Sequence, residues 1–378
     1  MWKVPLFNLS YDDREERAVQ EVLHSKWLTM GPKTKEFEDA FSGYLGGGVT
    51  SCAVSSCTAA LHLALLALGI GAGDEVVVPA LTFVAALNVV RLVGATPVLA
   101  DSASKTDWNM SAATIERSIT PRTKAVIIVH FAGYPCDMEA IMAVTGKAGI
   151  PVVEDCAHAI GSSHRGRMCG TFGALACFSF FSNKNLSTGE GGMIVTGSAP
   201  LAERVRLLRS HGMTSLTIER HQGKSIGYDV VRSGLNYRSD EIHSALGLVQ
   251  LGKLDAMNAS RHQVAKLYRE LLAGPADLVI PWPDDDPASV SCHHIFPVLL
   301  PGTVRRDQVV GHLSAAGIQT SIHYPSFAGF SAFQHLGLGT PAVAGEISAR
   351  VLTLPLFPAM TGAEVALVVQ ALGQALAA

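Results

Sequence analysis

The chain has 378 residues, of which 48% are apolar and 16% charged, with a formal net charge of −3. That composition supplies core for two or three domains and excludes the basic field that nucleic acid or an acidic membrane would require. The N-terminal stretch MWKVPLFNLSYDDREERAV lacks the apolar core of a signal peptide, and the longest apolar runs break before the roughly 20 residues of a membrane span, so a cytoplasmic protein is expected. Seven cysteines without a CxxC pair or metal-ligand spacing fit reduced, mostly buried thiols.

In chain order, DDREERAVQEVLHSK predicts a first helix, with acids in its first turn and apolar residues at helical spacing. WLTMGP breaks it, and KEFEDAFSGYLG predicts a second helix stopped by glycines. Short β-rich runs then alternate with helices: TSCAVSS into TAALHLALLALGI, DEVVVPALTF into AALNVVRLVGA, then TPVLAD, AVIIVHFAG, the helix DMEAIMAVTGKAG and PVVEDCA. Such alternation predicts a largely parallel sheet covered on both faces, with ligands gathered at the C-terminal ends of its strands. After Ile194 the chain turns helical through LAERVRLLRSHG and DEIHSALGLVQLGKLDAMNASRHQVAKLYRELLAG, and PWPDDDP reads as a loop. HHIFPVLL and QTSIHYP read as strands, RRDQVVGHLSAAG and the segment from Thr361 as helices, giving a smaller α+β unit.

Chemistry concentrates at a few strand ends. In FSFFSNKNLSTGEGGMIVT, Lys184 follows an apolar run, where burial disfavours the ammonium and suits the amine to Schiff-base formation; a surface lysine on a strand-to-loop connection is the alternative. Asp155 ends IPVVED, either as a cap on the next helix or as an anion that keeps a pyridine nitrogen protonated. Lysine for an aldehyde and aspartate for a ring nitrogen are the groups a pyridoxal phosphate enzyme needs. In SSCTAALHLALLALG the backbone N–H groups of Thr58 and Ala59 open a helix, a place that favours a phosphate as well as an ordinary cap. Ser179 adds a hydroxyl nearby, and Phe83 is placed either to lie over a ring or to fill the core. No metal is expected: adjacent His293 and His294 on a strand would point to opposite faces, and Asp284, Asp285 and Asp286 read as a solvated loop; GEGG lacks the strand-turn-helix setting of a dinucleotide fingerprint, because a β-like run follows it.

In order, VSSCTAALHLALLALGIGAGDEVVVPALTF, GATPVLAD, PVVEDCAHAIGS, GTFGALACFSFFSNKNLSTGEGGMIVT, GLNYRSDEIHSALGLVQL and LPLFPAMT resemble the DegT/StrS-type sugar aminotransferases, pyridoxal phosphate enzymes of fold type I. The resemblance implies an α/β large domain over residues 1–248, with a mostly parallel seven-stranded sheet flanked by helices, and a smaller α+β domain over 249–378 on which the N-terminal helix packs. It implies Lys184 as the Schiff-base lysine, Asp155 as the partner of the pyridine nitrogen, and Thr58, Ala59 and Ser179 at the phosphate. Phe83 would stack on the ring, His158 would lie near its phenolic oxygen, and Asn236 would reach the phosphate of a neighbouring subunit, which makes a homodimer with shared active sites the expected unit. Trp27, Arg238, His323 and Tyr324 are candidates for substrate contacts.

Two positions depart from the family pattern. Cys57 stands where the phosphate turn commonly has glycine, so no positive φ is expected there, and SFAGF follows HYP where the family often has a histidine near Pro-Leu. The implied reaction moves an amino group from L-glutamate (or glutamine) to a keto-sugar, a nucleotide-linked 3- or 4-keto-deoxysugar. The alternatives are a carbocyclic acceptor of inosose or aminohydroxybenzoate type, a sugar dehydratase, which the lysine at 184 counts against, and a regulator that binds the cofactor without turnover.

Overall fold

A computed structural model describes residues 2–215, 223, 226–274, 277–283 and 288–377. The loop expected at Asp284, Asp285 and Asp286 lies outside the described residues.

Two helices open the chain, α1 (Asp13–Ser25) and α2 (Pro32–Tyr44). Asp12 and Glu15 form a reciprocal cap at the start of α1, which satisfies donors that no helical carbonyl reaches. The alternating region follows as β1 (Thr50–Val54), α3 (Cys57–Leu68), β2 (Glu75–Pro79), α4 (Ala85–Leu92), β3 (Thr96–Ala100), α5 (Ala112–Ser118), β4 (Thr123–Val129), α6 (Met138–Lys147) and β5 (Val152–Asp155). After the two-residue strands β6 (Ser163–His164) and β7 (Arg167–Met168) come β8 (Leu175–Ser179), β9 (Gly192–Thr196) and α7 (Ala199–Arg209). Seven of these strands form one sheet in the order β1-β9-β8-β5-β4-β2-β3, with only β9 antiparallel to its neighbours. All five residues of β2, β8 and β9 are buried, as expected of strands covered on both faces.

The long helix α8 (Glu241–Leu271) runs from this sheet into the second unit, so Leu248 lies inside a helix. Its middle receives α1, where Lys253 donates to Glu15 (2.7 Å) and Asp12 (2.9 Å). Beyond it lie β10 (Ser289–Val290), β11 (Phe296–Leu299), α9 (Arg306–Ala315), α10 (Ala342–Arg350), β12 (Val351–Leu354) and α11 (Gly362–Ala377). Strands β11 and β12 pair antiparallel, and Val298, Leu313, Leu352 and Leu372 form a core with the second half of α8. Val4 is buried in that same core and bridges Ile318, so the first residues of the chain pack with the last third.

Two expected strands differ. His293 and His294 precede β11, which begins only at Phe296, and His293 takes φ of +46°. The segment QTSIHYP makes only the bridge Ser321 to Thr353, on the edge of β12 that β11 leaves free. The periodicity of the sequence does not predict helices α5 and α10 or strand β12.

Candidate active site

Parallel strands deliver their C-terminal ends to one edge of the sheet, where a cleft forms. Here that edge borders a cavity of about 310 Å³, lined from Ser56–Thr58 after β1, Thr82 and Phe83 after β2, Asp155 and His158 after β5, and Ser179 at the end of β8. Lys184, His323 and Tyr324 close it from the other side.

Lys184 sits on a turn just past β8, its N–H donating to the Phe181 carbonyl at 2.8 Å. Burial pulls its amine down from the ordinary lysine range to about 8, against the opposing pull of the Asp155 carboxylate. Its Nζ lies 3.3 Å from His294 Nε2.

Asp155 is 6% exposed. Its Oδ1 accepts the Ala157 N–H at 3.0 Å and lies 3.8 Å from the Cys57 thiol. Burial raises the Asp155 pKa, while the Ala157 N–H, Lys184 and Cys57 all favour its ionised form. A cation at Oδ2 would act in the same direction.

Ser56 caps α3 by accepting the Ala59 N–H at 3.1 Å, so Ala59, expected at the phosphate, has its donor engaged by the cap. Cys57 is the first residue of α3 and does not take positive φ, as expected. The turn is held close to β9: a Cβ on Gly192 would fall 2.5 Å from the Ser56 carbonyl carbon and 2.7 Å from the Cys57 nitrogen. Only glycine permits that approach.

His158 is buried, and desolvation keeps it neutral. Its Nδ1 accepts the Ala132 N–H at 3.3 Å, so the ring proton is on Nε2, 3.0 Å from the Tyr324 hydroxyl. Tyr324 is thereby left to turn its own O–H elsewhere, and burial holds that phenol well above its usual range. His323 is pushed down to about 4 by burial and shares a hydrogen bond with Thr353 at 2.9 Å. Phe83 is 54% exposed and 5.7 Å from the Tyr324 ring, an apolar face left open at the cavity rather than buried in the core.

Of the residues singled out from sequence, Thr58, Phe83, Asp155, His158, Ser179, Lys184, His323 and Tyr324 line this one cavity. Ala59, Trp27, Asn236 and Arg238 do not. The indole of Trp27 packs against Gly31, whose Cβ would come within 2.5 Å of Nε1. Arg238 bridges Val54 at the end of β1, and Asn236 is exposed on the same segment. The structure adds Ser56, Thr82, Phe181, Asn183 and Glu190 to the lining, with His294 behind Lys184. Ser56 carried a signal, a serine three residues before Ala59 at a helix start; His294 carried none.

The residues fit pyridoxal phosphate: an amine of lowered pKa, a buried carboxylate with one oxygen outward, a helix N-terminus and an exposed aromatic face around one cavity. Residues 10–373 match the family model of the DegT/DnrJ/EryC1/StrS aminotransferase family. Among solved structures, the aminotransferase TlmJ from Streptoalloteichus hindustanus is 34% identical, with TM-score 0.90 over 100% of this chain and 99% of that one. S. venezuelae DesV, solved in complex with a ketimine intermediate, is also 34% identical, with TM-score 0.90 over 99% and 98% of the two chains. Spr1654 from Streptococcus pneumoniae, solved in PLP and PMP forms, is 29% identical, with TM-score 0.91 over 100% of this chain and 98% and 99% of those two chains. Residues, cavity and likeness agree: the chain belongs to the DegT/DnrJ/EryC1/StrS aminotransferases, the sugar aminotransferase family of pyridoxal-phosphate-dependent enzymes with fold type I.

Proposed function

We propose that this enzyme takes an amino group from L-glutamate (or glutamine) and delivers it to a keto-sugar, a nucleotide-linked 3- or 4-keto-deoxysugar. The observation that carries the reading is the convergence of Lys184 and Asp155 on one cavity beneath an exposed Phe83. Pyridoxal phosphate, when bound, supplies the aldehyde and the electron sink that the protein lacks.

The chain's own side chains supply the rest. Lys184, with its pKa lowered to about 8, keeps about half of its amine neutral near pH 8, which suits Nζ to attack a carbonyl and then to carry a proton between substrate and cofactor carbons. Asp155 presents Oδ2 to a ring nitrogen while Oδ1 is held by Ala157 and Cys57. The N-terminus of α3 at Thr58 and the Ser179 hydroxyl hold the phosphate. Phe83 covers the ring face, and His158 steadies Tyr324 toward the phenolic oxygen or the substrate.

The active unit in this reading is a homodimer. Exposed Asn236 lies close in sequence to the exposed apolar side chains Tyr228, Val230 and Val231, and a second copy would cover this segment and receive Asn236 at its phosphate.

The test is spectroscopic. L-glutamate added to the yellow purified protein should discharge the visible absorbance and release an equivalent amount of 2-oxoglutarate, and Lys184→Ala should do neither. A spectrum unchanged by L-glutamate and by L-glutamine alike would remove the aminotransfer reading and leave a cofactor-binding protein. Acceptors are then sorted by mass spectrometry with dTDP-, UDP- and GDP-linked keto-sugars, and light scattering reads the dimer.

A further inference from the structure

We infer that His294, 110 residues from Lys184 in sequence, is a positioning residue for its amine: a bare Nε2 accepts one N–H of the neutral amine, anchors Nζ and turns its lone pair away from the imidazole. The inference deepens the reading above and rests on Lys184 being the cofactor's point of attachment.

The protonation of His294 follows from a chain of hydrogen bonds anchored on backbone carbonyls. Asn258 donates its amide to the Ile160 carbonyl at 3.0 Å, so its Oδ1 is the atom that accepts from Asn185 at 2.8 Å. Asn185 gives its other amide hydrogen to the Cys292 carbonyl at 2.9 Å, which leaves its Oδ1 as an acceptor. That oxygen lies 3.0 Å from His294 Nδ1, so Nδ1 carries the proton and Nε2 is bare. Nε2 faces Lys184 Nζ at 3.3 Å.

Position is fixed as firmly as tautomer. His294 is 4% exposed and stacks obliquely on His158 with centroids 4.4 Å apart. Its carbonyl accepts from buried Arg261 at 3.1 Å, and Arg261 also holds the Leu356 carbonyl at 3.1 Å. Burial and the nearby Lys184, His158, Arg261 and His323 keep the ring neutral, so it remains an acceptor across the working range. The other groups that bear on Lys184 are the Asp155 carboxylate and the Cys57 and Cys292 thiols.

A free lysine amine rotates about its last bond, and only one of its staggered orientations aims the lone pair at a given carbon. Tying one hydrogen to His294 holds Nζ in place and keeps the lone pair on the two positions that face away from the imidazole, before the cofactor or the returning substrate carbon arrives.

The test mixes full-length apoprotein with pyridoxal phosphate and follows the gain in visible absorbance across pH, alongside thermal denaturation. His294→Leu should lower the high-pH rate plateau about tenfold through lost orientation. It should also move the pH midpoint down, because an acceptor favours the ammonium form and leucine offers none. His294→Gln, which keeps a carbonyl acceptor, should restore the midpoint and most of the plateau. A folded His294→Leu protein with native plateau and midpoint overturns the inference, even if its melting temperature falls. Should that variant fail to fold, nitrogen-15 shifts of the native histidines, assigned with His294→Gln, decide: a bare Nε2 supports the inference, and a protonated Nε2 overturns it. Failure of the attachment reading looks different, since native apoprotein would then gain no absorbance or Lys184→Ala would gain it too.

Discussion

Glu154 and Asp155 are consecutive residues of β5 whose carboxylates serve opposite faces of the sheet. Asp155 opens on the cavity, whereas Glu154 accepts the backbone N–H groups of Gly170 (2.8 Å), Phe172 (2.7 Å) and Gly173 (2.6 Å). His130 Nε2 lies 3.1 Å from the same side chain, and its Nδ1 accepts the Cys136 N–H at 3.0 Å, which makes Nε2 the donor to Glu154. His130, Glu154 and Cys156 bring possible metal-ligand atoms within 4.8 Å of one another, but the His130 and Glu154 atoms are engaged in this network. Glu154 thus staples the loop before β8 to β5 and holds the register that aims its neighbour.

Removing that staple should be costly. Glu154→Ala leaves buried donors without an acceptor and should destabilise the fold by about 3 kcal/mol or more in urea denaturation. A loss under about 1 kcal/mol, within the range of an ordinary hydrogen bond, would contradict the role assigned here.

Gly192→Ala tests the cradle. The added methyl has the Ser56 carbonyl carbon at 2.5 Å, a backbone atom that cannot swing aside. Overpacking of this kind should cost about 2 kcal/mol. Displacement of the α3 N-terminus should weaken cofactor binding about tenfold, equivalent to about 1.4 kcal/mol. Equilibrium dialysis reading native affinity would show that β9 does not set the phosphate turn.

Lys184→Met tests the buried amine through pH. The folded pKa of about 8 lies below the ordinary 10.5, so below pH 8 the folded state bears the full cost of burying the ammonium. That cost fades as pH rises from about 8 toward 10.5, where the unfolded chain still binds the proton and the folded one does not. The methionine apoprotein should therefore exceed the native apoprotein in stability by up to about 3 kcal/mol at pH 7. The gap should narrow with rising pH; a gap independent of pH would place the amine in water.

Asp155→Asn separates binding from chemistry. Asparagine retains an oxygen for the Ala157 N–H but not the charge that keeps a ring nitrogen protonated. The protein should still take up cofactor, while its single-turnover rate with L-glutamate falls about 10²- to 10³-fold. A native rate would remove Asp155 from the reaction.

The α/β alternation is readable in the sequence because it is written in local signals: β-branched runs such as EVVVP, alanine- and leucine-rich helices, and glycine punctuation. Lys184, Asp155 and Thr58 are readable for a related reason, since strand ends share one edge of a parallel sheet and residues just after strands must meet there. HYP and HH read as strand but are not, because a β-rich composition does not say where pairing runs on: Ser321 alone bridges β12, and His293 at positive φ bends the chain ahead of β11.

Contacts that close over long distances are not written locally. Helix α2 starts at Gly31 without a side-chain cap of its own, and Glu241 provides one from 207 residues away, accepting the Thr34 N–H at 2.8 Å. Trp27, expected at substrate, is placed beside that junction. His294 reaches Lys184 because Arg261, on α8, and Asn185 hold the segment just before β11 in place. The sequence by itself determined the element pattern and the chemical kinds of group at the strand ends, since both depend on neighbours along the chain. Which buried polar atom meets which, and so which histidine lies against the amine, was decided only when tertiary packing excluded water and left the buried donors few acceptors within reach.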